Sequence, residues 1–396
     1  MAVIGNGPQA DFLTRLLQMQ QHTVVQFCSR DVAVTEQPYY PNDLTSGIMR
    51  KYLEDVGISL KSCKRIESIC LQDAEIRLQF PASFQAFVET LMTQFPEECT
   101  ALKAFFTDIR AIGSEWTAYI SSGFANAAAM QRSARLYNLT LEKAFEKYEL
   151  KNPALRNVFR RILPKPGVMF TGFCGYLYTQ FFDINCVQAD ARNLLSNPQK
   201  EVVSDLQELC VDCKDEDGAF DAVVDFRIAH DLLQPQDTVL LGSFVAANCC
   251  LRPETEYLIG LSKNDTLRVW NDWSLQMDGS KERWHFEFVT AHPLPEAPEQ
   301  WLAEKIRALT EGELCSFHVS DWQAVDLQYD TDHADGYRWA FDQKHSLQDP
   351  INLVRMHKSN VLRSCAWGFA WFSAAYHAAN VVNHQMQCGD SRYQIR

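Results

Sequence analysis

Ala2-Val3-Ile4-Gly5-Asn6-Gly7-Pro8-Gln9-Ala10 opens the chain, followed by Asp11-Phe12-Leu13-Thr14-Arg15-Leu16-Leu17 and then Thr23-Val24-Val25-Gln26-Phe27-Cys28. These stretches spell a short apolar strand, a tight glycine turn, an amphipathic helix and a second β-branched strand. Gly5-x-Gly7-x-x-Ala10 has the glycine spacing that lets a turn bring its backbone close to a pyrophosphate. Pro8 suits the first helical turn, where its missing N–H costs nothing. The free N–H groups at that helix start, with the helix dipole behind them, favour an anion. Counting 23 residues on from Gly5 reaches Cys28, where a dinucleotide fold would place an acid for the ribose hydroxyls; the nearest carboxylate is Asp31.

Working outward, 396 residues are enough for two domains around sizeable cores. A net charge of −13 argues against a nucleic-acid partner and against a polybasic membrane patch. The chain enters its first strand directly after Met1, which predicts no signal peptide, and no apolar run reaches the length of a transmembrane segment. Thirteen cysteines, an odd count at irregular spacing, fit a reducing, cytoplasmic setting better than a disulfide framework.

After Cys28, the stretch through Pro38, Tyr39, Tyr40, Pro41 and Asn42 reads as a loop, and 46–56 as a helix ending at Gly57. Residues 65–70 and 75–80 alternate as a hairpin, with Gln72-Asp73 near its turn. From Ser83 to Phe159 the period becomes helical: Phe84, Phe87, Val88, Leu91 and Met92 make one stripe, and Leu102, Phe105, Phe106, Ile109 and Ile112 another. Thr140 is placed to cap a further helix, and the run ending at Arg161 stops against Pro164 and Pro166. Such an all-helical insert suggests a lid or substrate domain. Residues 202–211 and 222–226 read as strands around an acidic turn. Residues 238–250, 256–261, 266–270 and 284–290 read as an antiparallel sheet, 298–309 as an amphipathic helix and 314–338 as strand and loop. A terminal helix over 369–386 closes the chain.

In this order the elements resemble the flavoprotein superfamily of phytoene desaturases, retinol saturases and flavin amine oxidases. Val3-Ile4-Gly5-Asn6-Gly7-Pro8 resembles its FAD turn, and Cys28-Ser29-Arg30-Asp31 stands where that family carries Glu-x-Arg-x. Gln94-Phe95-Pro96-Glu97-Glu98, leading into Leu102-Lys103-Ala104-Phe105-Phe106, resembles a helical stretch of the carotenoid branch. Asp221-Ala222-Val223-Val224 is similar to the strand that returns the chain to the FAD domain, Trp322-Gln323-Ala324 to a segment before the last FAD-facing stretch, and 374–382 to the terminal helix under the flavin. Thr35–Ser46 replaces the family's glycine-arginine loop, and Arg363-Ser364-Cys365 its terminal Gly-Asp pair.

The resemblance implies an α/β fold: a discontinuous Rossmann-like FAD-binding domain (1–64, 200–235, 340–396) carrying an inserted α+β substrate domain (65–199, 236–339) with helices and an antiparallel sheet. It implies that Gly5, Gly7, Pro8, Gln9 and Ala10 form the cradle for the FAD pyrophosphate. It places Cys28 at the ribose, Arg30 at a phosphate or the adenosine, and Trp367 and Phe369, with Trp371 and Tyr376, toward the isoalloxazine. A basic group among His357, Lys358 and Arg363 would stabilise reduced flavin by charge.

The implied activity is an FAD-dependent oxidoreductase acting by hydride transfer. Its substrate would be an amine, an amino-acid or peptide side chain, or an unsaturated biosynthetic intermediate. A cofactor-poor relative binding a protein or lipid partner, as Rab-escort proteins do, is the alternative, and an NAD(P)-dependent reductase a third. Three further clusters read two ways. Cys210-x-x-Cys213 has redox or half-zinc spacing but leads into an acidic turn. Asp330-x-Asp332-His333-x-Asp335 has metal ligands at close spacing but lacks a calcium loop's register. Phe170, Phe173, Tyr176, Tyr178, Phe181 and Phe182 could line a substrate tunnel or pack an interface. Cys249-Cys250 reads as a pair of core thiols.

Overall fold

The computed structural model describes residues 1–5, 8–29, 54–57, 63–121, 130–136, 138–163, 168–179, 181–182, 185–187, 200–206, 208–214, 219–225, 237–263, 265–272, 279–290, 292–325, 353–355, 375, 378–380, 382–383 and 392–395. The chain opens with β1 (Ala2–Ile4), α1 (Pro8–Met19) and β2 (Val25–Ser29). There follow β3 (Cys63–Arg65), β4 (Ser68–Gln72), β5 (Arg77–Pro81), α2 (Phe84–Gln94), α3 (Cys99–Ser121), α4 (Gln131–Arg135), α5 (Leu141–Lys147), α6 (Pro153–Ile162) and α7 (Phe170–Thr179). The second half carries β6 (Asn185–Val187), β7 (Lys200–Val203), β8 (Val211–Lys214), β9 (Val223–Asp225), β10 (Asp237–Ala247), β11 (Thr255–Ser262) and β12 (Asp265–Asn271). It ends with β13 (Lys281–Thr290), α8 (Pro298–Thr310), β14 (Glu313–Val325), β15 (Leu353–Arg355) and β16 (Arg392–Ile395).

Two large sheets organise these elements. The first is parallel throughout, in the order β15-β9-β1-β2-β7. Its central strands are buried on both faces, as parallel strands covered by helices must be, and hence read as continuous apolar runs. Opposite β1 stand Val25, Gln26 and Phe27 on one side and Val223, Val224 and Asp225 on the other. The second sheet is mixed, in the order β14-β10-β13-β12-β11-β4-β5. Its strands from β10 to β13 pair antiparallel as expected, but β4 joins β11 in parallel and brings the 68–81 hairpin with it. The sheet is therefore larger than the antiparallel one expected from 238–290, and is not purely antiparallel.

The strand expected over 202–211 is two strands in different sheets. β7 ends at Val203, and β8 begins at Val211 and pairs antiparallel with β16. Cys249 and Cys250 are not core thiols: β10 ends at Ala247, leaving Cys249 half-buried and Cys250 exposed in the turn beyond it. The expected loop at 31–45, most of the helix at 46–56, the acidic 330–335 cluster and most of the 369–386 helix lie outside the described residues. Among the described residues no helix is long and apolar enough to cross a membrane.

The helical insert packs around aromatic side chains. Phe87 meets Phe80 at 4.8 Å, Phe106 at 5.9 Å, Phe159 at 6.3 Å and Phe182 at 5.5 Å between ring centroids. Most of these contacts are edge-to-face or tilted, as ring quadrupoles prefer. Phe170, Phe173, Tyr176, Phe181 and Phe182 are buried in the same core, which makes them packing residues. Capping follows the sequence: Ser83, Thr140 and Asn152 each accept backbone N–H groups at the starts of α2, α5 and α6. Val3, Leu13, Leu17, Phe87 and Phe159 share one core with Ala375, Ala378, Ala379 and Val382 from the end of the chain. Asn383 extends that contact, its Oδ1 accepting from His22 Nε2 at 2.8 Å and its Nδ2 donating to Gln20 at 2.8 Å.

Helix α6 docks on the mixed sheet through Arg161. Its Nη1 donates to the carbonyls of Lys263 (3.2 Å) and Asp265 (3.1 Å). The side chain crosses directly over Gly260, where a Cβ would lie 2.2 Å from Nε and 2.5 Å from Cζ. Gly260→Ala is expected to displace Arg161 and cost about 2–3 kcal/mol in chemical denaturation, with the loss concentrated in this docking.

On the outer side Arg160 forks onto Glu142 with two bonds of 2.7 Å, clamping α5 to α6. Those hydrogen bonds hold the Glu142 carboxyl below the usual carboxylate range. A lowered folded-state value stabilises the ionised pair above the unfolded carboxylate's range, and that contribution is lost as pH falls through the folded one. Glu142→Gln is expected to cost at most about 1 kcal/mol at neutral pH, since the pair is partly exposed. The difference from the native chain should vanish in acid-pH denaturation curves.

Candidate functional site

Two places concentrate chemistry, and the first is the carboxyl end of β1. Gly5 follows Ile4 with φ +150°, a backbone conformation that favours glycine, and its N–H donates to the Phe27 carbonyl at 3.0 Å. Helix α1 starts at Pro8, and Ala10 is fully buried, so the helix seats closely against the strands. Gly7 and Arg30 lie outside the described residues, as do Trp367 and Phe369; Pro8 and Gln9 are described as the backbone of the helix start only.

The sequence reading overlooked what lies beneath this turn. Asp11, in the first turn of α1, is buried, and its Oδ1 accepts from Gln26 Nε2 at 2.8 Å and lies 2.6 Å from Lys200 Nζ. Gln26 Nε2 also donates to the Gly5 carbonyl at 3.2 Å. Lys200 stands directly across the ladder from Gln26, at the start of β7. A buried carboxylate at a helix N-terminus gains from the dipole, and an ammonium beside it removes the cost of leaving an isolated charge out of water. Cys28 is buried two residues beyond Gln26, and burial pushes its thiol up, with Lys200 opposing and Asp11 adding to the effect. The thiol stays protonated and is a weak acceptor, unlike the carboxylate a ribose diol would use.

The second place is the face of the mixed sheet turned toward the helical insert. Across β12 and β13 the register sets Arg268 opposite Glu287 and Trp270 opposite His285. Arg268 Nε donates to Glu256 of β11, whose carboxylate is wholly buried. The Arg268 guanidinium lies 5.8 Å from the Trp270 ring centroid, and His285 Nε2 lies 2.7 Å from the Asp272 carboxylate. Tyr176 of α7 is buried close enough to feel Arg268, Glu256 and Glu287, and burial pushes its phenol up to about 12. Burial likewise raises the Glu256 carboxyl, while Arg268 opposes it. The opposite face of the sheet is apolar: Phe244, Leu267, Val269, Trp284, Phe286 and Phe288 pack under Leu302 and Ile306 of α8.

None of these charged residues stood out in the sequence. Thr266-Leu267-Arg268-Val269-Trp270 and Arg283-Trp284-His285-Phe286-Glu287-Phe288 alternate as half-exposed strands do, and period 2 cannot tell a solvated polar face from a buried one. Among the described residues no group of three or more His, Cys, Asp and Glu could hold a metal ion.

No family model matches the chain, and no curated protein matches it. Solved structures do match. A putrescine oxidase, bound to putrescine, aligns over 97% of this chain and 98% of its own with a TM-score of 0.53 and 12% identity. Cyclohexylamine oxidase from Brevibacterium oxydans aligns over 98% and 99% with a TM-score of 0.53 and 11% identity. A protein of Pyrococcus furiosus aligns over 96% and 97% with a TM-score of 0.56 and 8% identity. At these identities the likeness is one of fold, and nearly the whole of each chain takes part in it. This chain has the α/β fold of those amine oxidases, with parallel and mixed sheets.

Proposed function

We propose that the chain is an FAD-dependent oxidoreductase acting by hydride transfer on a small organic substrate, an amine or amino-acid derivative among the classes considered. One observation carries the reading: the central parallel strand β1 ends in a glycine turn opening onto a helix, in a sheet that β7, β9 and β15 complete from distant parts of the chain. That is where open parallel sheets bind nucleotides. The fold shared with putrescine oxidase and cyclohexylamine oxidase supports the same reading. In this reading residues 1–64, 200–235 and 340–396 hold the cofactor, and 65–199 with 236–339 hold the substrate.

The residues present fit the pyrophosphate end of FAD. Gly5 leaves the turn free of side chain, Ala10 seats the helix, and Lys200 pairs with the Asp11 carboxylate beneath the site. In the sequence Gly7, Pro8 and Gln9 fill the spacing between Gly5 and Ala10. The ribose end is the weaker part of the fit, with a protonated Cys28 thiol where a carboxylate would accept two hydroxyls. Bound flavin supplies the hydride acceptor, and the chain supplies binding, orientation and exclusion of water.

Purified protein is expected to show flavin bands in its visible spectrum that survive desalting, or to acquire them on addition of FAD. A colourless protein that takes up no FAD would overturn the reading in favour of a cofactor-free binding module. Cys28→Glu restores a hydroxyl acceptor facing Lys200 and is expected to tighten FAD binding about tenfold, one charge-assisted hydrogen bond, measured by quenching of flavin fluorescence.

A further inference from the structure

The turn at the end of β1 stands over a buried charge pair that a plain anion cradle does not need. Asp11 lies in the first turn of α1, where the helix end favours negative charge. Its own carboxylate meets that field first and competes with any phosphate brought to the same helix end. Lys200 offsets this. Its Nζ lies 2.6 Å from Asp11 Oδ1, so the two charges cancel and the helix end stays available to an anion from outside. Gln26 completes the arrangement from a fully buried position: its Nε2 donates to Asp11 Oδ1 at 2.8 Å and to the Gly5 carbonyl at 3.2 Å. The Gly5 carbonyl, whose lone pairs would repel a phosphate, is thereby held on a buried amide.

The two charged partners are not equivalent. The Asp11 side chain is 6% exposed and that of Lys200 23%. The carboxylate is fixed by Gln26, whereas the ammonium sits on a flexible stem from β7 that is partly open to solvent. Both charges reach the ribose end of the turn. At Cys28, where burial acts most strongly, Lys200 lowers the thiol and Asp11 raises it.

We infer that Lys200 is a positioning residue of the nucleotide turn: acting through Asp11, it sets the charge of the helix end and hence the preference of the turn for a diphosphate over an uncharged nucleoside. The inference rests on the proposed nucleotide reading of that turn. It does not need the flavin, because it concerns the pyrophosphate that FAD and ADP share.

Calorimetric titration of the full chain with adenosine, AMP, ADP and FAD tests it, on the native protein and on two variants. Asp11→Asn keeps an acceptor for Gln26 and leaves the Lys200 ammonium free to turn toward solvent, so the variant keeps its fold. It is expected to bind ADP about tenfold tighter than the native chain, AMP by a smaller factor and adenosine equally, because a Coulombic gain scales with ligand charge. Asp11→Asn with Lys200→Met removes both charges and should bring ADP back to within about threefold of native. A role confined to packing would move adenosine and ADP alike.

ADP bound no tighter by Asp11→Asn, an equal shift for adenosine, or a double variant that keeps the full gain would each overturn the inference and leave the flavin reading intact. A native chain that binds ADP and takes up no FAD would end the flavin reading and leave this one standing. A chain that binds none of the four would end both.

Discussion

The two-sided pairing of β1 is the constraint from which the rest follows. Three residues, Ala2 to Ile4, bond in parallel to β2 on one flank and to β9 on the other. Parallel neighbours cannot be joined by a tight turn. The link from β1 to β2 uses α1, but β9 arrives only after the hairpin, the helical insert and β7 have been made. The insert is thus held at both ends by one sheet, and its aromatic core merges with the core under α1. A sheet completed so late in the chain makes folding depend on contacts of high sequence separation.

Beneath that turn, Asp11, Gln26 and Lys200 form a buried polar chain across helix and strands. An apolar set would pack such a place more cheaply, since burying charges costs several kcal/mol even when they are paired. The arrangement fixes geometry: Gln26 ties the Gly5 carbonyl to the helix, and Lys200 ties β7 to the same carboxylate. Position and charge at the turn are therefore coupled to the register of the sheet edge.

The fold was legible where physics acts locally. Glycine spacing, the proline at a helix start and the cap at Thr140 each have a single structural meaning, and the helical stripes of 84–112 land in the core. It was illegible where partners are remote. Nothing within 202–214 says that the stretch divides between two sheets, because the choice rests on β2 and β16. The turn before Cys249 likewise depends on where β10 stops pairing. The candidate site divides in the same way: Gly5 and Ala10 announce themselves by spacing, whereas Glu256, Arg268 and Tyr176 belong to separate elements and become a cluster only in space.

The two faces of the mixed sheet show why this matters for chemistry. One face is a plain apolar layer under α8, and Ile69, Leu71, Phe80, Leu258 and Trp270 of the same sheet join the core of the helical insert. The other carries Glu256, Arg268, Glu287, His285 and Asp272 out of water, although apolar residues there would cost less. Stability does not explain that choice, because a buried ion pair seldom outperforms well-packed hydrophobic groups. The consequence is electrostatic: a low-dielectric wall strengthens each charge it holds. The parallel sheet then carries the glycine turn and the mixed sheet the buried charges, and residues of both sheets meet in one aromatic core.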